Sequence, residues 1–113
     1  MADVVQFSSA PEEQLDCLYL AVAEKERPLE RLVLPARDRQ AIAKVVEELG
    51  VRGTEGEVLV TASPVKGFRR IACFGVGKLP AFTVHSLRKL FRRFVEQAGR
   101  NREYQIAVAL PFL

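Results

Sequence analysis

The stretch that most constrains this chain runs from Arg69 to Gly99. Its first part, Arg69-Arg70-Ile71-Ala72-Cys73-Phe74-Gly75-Val76, reads as a strand with a buried centre at Ile71 to Phe74. Gly75 and Gly77 break it, and Pro80 prevents continuation. Thr83 then stands as a helix N-cap, with Gly99 as the stop of a helix running through Ala98. Val84, Leu87, Leu90, Phe91, Phe94, Val95 and Ala98 form one wide apolar stripe on that helix, which must pack on a sheet. A strand, a glycine turn and an amphipathic helix in succession make half of a layered α/β unit.

The rest of the chain supplies the other half. Leu15 to Ala23 is nearly all apolar, as in a strand buried on both faces. Val4 to Phe7 is a short first strand, followed by a loop or single turn over Ser8 to Glu13. Glu24 to Pro28 is a charged exit loop, and Leu29 to Leu34, bracketed by prolines, is extended or irregular. Ile42, Val45, Val46 and Leu49 follow the helical period, with Pro35 to open that helix and Gly50 to end it. Val51 to Glu57 is a glycine-punctuated turn region. Val58 to Thr61 is a β-branched strand, and Ser63 to Phe68 joins it by a hairpin-type loop to the Ile71 strand, so those two are expected to be antiparallel. Gln105 to Leu110 is the last strand, ended by Pro111.

The expected order is β-β-α-β-β-α-β in one domain over residues 1–113, a mixed, mostly parallel sheet flanked by helices. The Arg69 and Gln105 strands flank a helix and are expected to be parallel neighbours joined by a right-handed crossover.

Composition bounds the function classes. With 49% hydrophobic and 27% charged residues the chain is ordinary for a globular domain. No apolar run is long enough to span a membrane, and Met1-Ala2-Asp3-Val4 does not begin a signal peptide. Cys17 and Cys73 lie in apolar segments and read as buried reduced thiols of a cytoplasmic protein, with a disulfide between neighbouring strands left open. The net charge of +3 is unevenly placed. Met1 to Val65 holds 7 basic and 12 acidic residues, and Lys66 to Leu113 holds 10 basic and 2 acidic. The basic half suits phosphates or an acidic face on another copy.

No catalytic constellation emerges. His85 is the single histidine, in the first turn of the last helix, and a solvated or capping role suits it. The cysteines lack a CxxC partner, so no metal site is expected. Glu12-Glu13 and Glu47-Glu48 are adjacent in sequence, so their side chains diverge. Two binding readings remain. The Gly75-Val76-Gly77 turn with Lys78 lies between a buried strand and a helix, where α/β sheets bind ligands and backbone amides can cradle a nucleotide or ADP-ribose phosphate. Against it, Pro80 stands where a dinucleotide fingerprint has its third glycine. The second reading is nucleic acid. Arg88, Lys89, Arg92 and Arg93 lie opposite the apolar stripe, with Arg100 and Arg102 just beyond, and could neutralise several phosphates without sequence preference.

Four stretches in order, together with the succession of elements, resemble the N-terminal domain of the leucyl aminopeptidases. They are Leu15-Asp16-Cys17-Leu18-Tyr19-Leu20-Ala21-Val22; Glu48 to Glu57, similar to that family's Phe-x-Gly-x-x-Gly-Glu turn with Val51 in place of the aromatic; Arg70 to Lys78, similar to its strand ending Gly-Leu-Gly-Lys; and Ile106-Ala107-Val108-Ala109-Leu110-Pro111. The resemblance implies a macro-domain-like, non-catalytic α/β domain. It implies that two divalent metals belong to a separate catalytic domain carrying an Asn-Thr-Asp-Ala-Glu-Gly-Arg segment, which this sequence lacks. The expectation is therefore a chain without peptidase activity or cofactor of its own. Its partners would be its own catalytic domain or other copies, in assembly or regulation of an oligomeric parent enzyme.

Overall fold

The longest unbroken apolar strand takes the middle of the sheet. The computed structural model describes residues 3–5, 14–25, 32 and 34–112. Its elements are β1 (Asp3–Val5), β2 (Leu15–Ala23), α1 (Ala36–Glu48), β3 (Val58–Ala62), β4 (Phe68–Gly77), a 3-10 turn (Leu79–Ala81), α2 (Val84–Arg100) and β5 (Gln105–Ala109). The five strands form one sheet in the order β1-β5-β2-β4-β3. β2 runs parallel to β4 and to β5, β1 runs parallel to β5, and β3 is antiparallel to β4. The α/β order and the antiparallel β3–β4 hairpin match the sequence expectation. The expected loops at Ser8 to Glu13 and at Glu26 to Pro28, and the Gln6 and Phe7 end of the first strand, lie outside the described residues, as do the Glu12 and Glu13 carboxylates.

One expectation is corrected. β4 and β5 are parallel but are not neighbours, because β2 lies between them. The β4–α2–β5 connection therefore crosses over β2. The physical reason is burial: every residue of β2 except Asp16 is buried, so this strand needs a neighbour on each edge and a helix on each face.

Side chains alternate across the sheet as a strand requires. Leu18, Leu20 and Val22 of β2 pack with Ile71 and Cys73 of β4 and with Ile42 and Val46 of α1. Cys17, Tyr19 and Ala21 point to the other layer, with Ala72, Phe74, Leu90, Phe94 and Ala98. The two cysteines are thus buried on opposite faces of the sheet, so no disulfide joins them.

Both helices end in the same motif. Pro35 precedes α1 as its N-cap, and Gly50 follows Leu49 with φ 71°. The Gly50 amide donates to Glu47 O and the Val51 amide to Val46 O, which is a Schellman closure. α2 begins on a reciprocal cap: the Ser86 amide donates to Thr83 Oγ1 and the Thr83 amide to Ser86 Oγ. Its C-terminus departs from expectation. Gly99 lies inside the helix, and the left-handed position falls on Arg102, with φ 54°. The Arg102 amide donates to Gly99 O and the Glu103 amide to Ala98 O. The apolar stripe is also narrower than expected, because α2 buries Leu90, Phe94 and Ala98 and leaves Val84 and Val95 exposed.

Candidate functional site

Three places bring chemistry-bearing groups together: the glycine junction at the carboxyl ends of β2 and β4, the basic flank of α2, and a buried polar cluster at the start of β5.

At the glycine junction, β4 carries a register shift against β2, with Val22 opposite Gly75 and Ala23 opposite Gly77. Val76 is the extra residue, and Gly77 turns to φ 78°. The loop Arg52–Glu57 lies directly on this bulge. A Cβ on Gly75 would sit 1.9 Å from Thr54 O, and one on Gly53 would sit 2.3 Å from Ala23 O. Three backbones thus meet where no side chain fits. Their polar groups pair with one another: the Gly75 amide donates to Glu57 O, the Gly77 amide to Gly53 O, and the Glu24 amide to Gly77 O. The anion at the loop's own amides is the Glu57 carboxylate, which accepts from Gly53 N at 2.8 Å and from Arg52 N at 3.1 Å. The Gly75 and Gly77 amides are therefore committed to the fold. Lys78 is exposed, and with Ala23, Glu24, Lys25 and the 3-10 turn it lines a cavity of about 330 Å³.

On α2 the basic residues divide. Arg93 is half-buried, donates from Nη2 to Gly56 O at 3.0 Å, and lies with Cζ 5.5 Å from the centroid of the Phe74 ring. Lys89 Nζ stands 3.8 Å from Glu55 Oε1. Both lean toward the Arg52–Glu57 loop and pin it to the helix. Arg88, Arg92 and Arg100 remain exposed, as does His85.

Sequence reasoning missed the third place. Glu103 is the one buried charged residue among those described, at 3% exposure. It accepts from the Tyr19 hydroxyl, from Arg70 Nη2 at 2.9 Å and from Asn101 Nδ2 at 3.5 Å. Beside it Asp16 Oδ2 accepts from the amides of Tyr104 at 2.7 Å and Gln105 at 3.0 Å. The Gln105 amide foremost, then the Tyr104 amide and the Arg69 and Arg70 charges, hold the Asp16 carboxyl below its usual range against a partial desolvation that pushes the other way. Burial, and then the nearby Glu103 carboxylate, push the Cys17 thiol well up. Burial and the hydrogen bond to Glu103 do the same to Tyr19. These groups are arranged to stay in one protonation state, unlike a nucleophile or a proton shuttle. The only available signal was a lone glutamate just after a helix end, beside an aspartate and a tyrosine in the most apolar strand.

Among the described residues no three or more His, Cys, Asp or Glu side chains come together as a metal site would require. No helix among them is long and apolar enough to cross a membrane.

The fold and these placements define a layered α/β domain whose motif glycines and acids close its own backbone. The chain belongs to the cytosol aminopeptidase family as its N-terminal domain, whose family profile matches residues 20–113. Among solved structures, a mutant of tomato leucine aminopeptidase superposes with a TM-score of 0.65 at 20% identity, over 98% of this chain and 23% of that one. The chain thus spans about a quarter of that relative's length. No curated protein matches it in sequence.

Proposed function

We propose that this chain acts as the non-catalytic domain of a leucyl-aminopeptidase-type metallo-aminopeptidase in the cytoplasm, serving assembly or regulation of that enzyme. Its partners on this reading are a catalytic domain of the same kind and other copies of itself. The observation that carries the reading is the coverage: nearly the whole chain corresponds to a quarter of a leucine aminopeptidase, and the family profile spans residues 20–113. The fate of the motif residues agrees with it. Gly53, Glu57, Gly75 and Gly77 spend their polar groups on one another, which is what a structural domain needs and a phosphate loop does not.

The test has two arms. Purified chain, supplied with divalent metal, is expected to leave leucine p-nitroanilide intact; chelator-sensitive hydrolysis would overturn the non-catalytic role. Co-expressed with a leucyl aminopeptidase catalytic domain from the same genome, the chain is expected to co-purify with it and to change its oligomeric state or its rate. Absence of both effects would remove the assembly and regulation reading.

A second reading rests on the exposed Arg88 and Arg92, one helical turn apart, with Arg100 further along α2. Non-specific duplex binding through them would weaken steeply with salt. Fluorescence anisotropy at low and high salt decides it, and a flat signal at micromolar protein removes it.

A further inference from the structure

Among the described residues the outer edge of β3 is open: β3 ends the sheet and pairs with β4 alone. The hydrogen-bond phase of the hairpin is fixed at both ends: the Gly75 amide donates to Glu57 O, and the Ser63 amide donates to Arg69 O. Residues 57, 59, 61 and 63 therefore turn their backbone polar groups inward to β4, and Val58, Val60 and Ala62 turn theirs outward. Natural edges are blunted by charge, proline, a bulge or a cover. Val58-Leu59-Val60-Thr61-Ala62 contains no charge, proline or glycine and pairs with β4 in unbroken register. At its midpoint Val60 is 41% exposed, one of few large apolar side chains left at the surface among the described residues.

We infer that this edge is an interface with a second copy of the same chain, in which two β3 strands pair antiparallel about a two-fold axis at Val60. The outward residues select that register. Centring on Val60 sets Val58 opposite Ala62 and Val60 opposite its own copy, so all three outward residues on each strand find partners. A shift by one pair leaves an outward residue on each strand unpaired. The same register brings each Val60 side chain against its counterpart, removing from water the apolar group the single chain exposes. Charge supports the same partner. Glu55, whose ion pair with Lys89 is itself exposed to solvent, precedes the strand and the exposed Lys66 follows it, so antiparallel pairing brings the acidic end of each strand toward the basic end of the other. The edge stands on its own geometry and does not depend on the peptidase reading.

Sedimentation from micromolar to millimolar chain tests the interface. The mass is expected to rise from 12.6 kDa toward twice that value. Val60→Lys sets two like charges on the axis and is expected to weaken the dimer at least about tenfold. Val60→Pro removes an amide that points away from β4, and is expected to act in the same direction. Unchanged circular dichroism of both variants shows that the hairpin persists. Val60→Cys gives an independent reading. Directly opposed residues of a hydrogen-bonded antiparallel pair have Cα atoms about 5.5 Å apart, within the reach of a disulfide. Diamide should therefore cross-link Val60→Cys chains to each other, whereas Val58→Cys or Ala62→Cys alone should not, and the buried Cys17 and Cys73 do not compete. A mass that stays single at millimolar concentration overturns the inference. So does a dimer indifferent to Val60→Lys, or one in which Val60→Cys does not cross-link. If the chain alone stays single but a leucyl aminopeptidase catalytic domain captures it only when Val60 is intact, the second copy is overturned as occupant and the proposed function stands.

Discussion

The Tyr19 hydroxyl donates to Glu103 across 84 residues of chain, joining the centre of β2 to the turn that leads into β5. Tyr19 is itself held in a ring cluster, 5.2 Å from Phe74 and 5.4 Å from Phe94 between centroids. One carboxylate thus orients an aromatic core on the α2 side and receives Arg70 from β4. Removing the carboxylate leaves the Tyr19 hydroxyl unpaired in an apolar layer. Glu103→Ala is expected to cost about 2–4 kcal/mol and Tyr19→Phe about 1–2 kcal/mol. Urea unfolding of both and of the double variant checks this: the two losses should fall short of additive by about 1 kcal/mol or more.

The same cluster sets the pH response. Native Cys17 and Tyr19 keep their protons above the ordinary values of 9.0 and 10.0 at which the unfolded chain would release them. A group whose native pKa is raised contributes stability that is complete below its unfolded pKa and declines as pH rises above it. Stability is therefore expected to fall from about pH 9 upward, by up to about 1.4 kcal/mol per pH unit for each group. Asp16 has the opposite sign: its native pKa is lowered, so its contribution is present above the ordinary 3.8 and is lost as pH falls through the native value. Denaturation midpoints across this range check both limbs, and Tyr19→Phe should flatten the alkaline one.

Much of the architecture was legible because it follows from local pattern. The double-sided burial of Leu15 to Ala23, the Pro35 start and Gly50 stop of α1, and the Thr83 cap of α2 are each written in adjacent residues. The place of β2 between β4 and β5 was not, since helix length says that a crossover occurs and not how many strands it passes. Val84 and Val95 are apolar at helical spacing yet face water, while Leu90, Phe94 and Ala98 are buried and Phe91 packs partly buried beside them. The glycine motif was visible as a turn, but its meaning lies in Thr54 and Ala23, which reach it from elsewhere in the chain. Glu103 gave no pattern at all: a buried acid is recognised by its partners, and Tyr19 and Arg70 are distant in sequence.

The glycines separate into two kinds that a substitution series can distinguish. Gly75→Ala drives a methyl group into the Thr54 carbonyl, a backbone atom that cannot move aside, and is expected to cost about 3 kcal/mol or more. Gly99 lies within α2 with nothing within 4 Å of its Cβ position, so Gly99→Ala should stabilise by about 0.5–1 kcal/mol. Thermal melts of the two variants should move in opposite directions.

Arg102 is the last test, and it concerns a side chain in a place where glycine belongs. It is the only described non-glycine residue with positive φ, and it closes α2 so that the Glu103 amide reaches Ala98 O at 2.9 Å. That closure turns the Glu103 side chain inward to Tyr19 and Arg70. An arginine in this conformation carries a steric cost of about 1–2 kcal/mol, partly offset on replacement by the greater freedom of an unfolded glycine. Arg102→Gly is therefore expected to stabilise the domain by up to about 1 kcal/mol. Arg102→Val, whose β-branch is hostile to positive φ, should instead destabilise it and loosen the Glu103 contacts. Urea midpoints rank the three proteins, and an order other than glycine, arginine, valine would show that the helix end does not hold Glu103 in place.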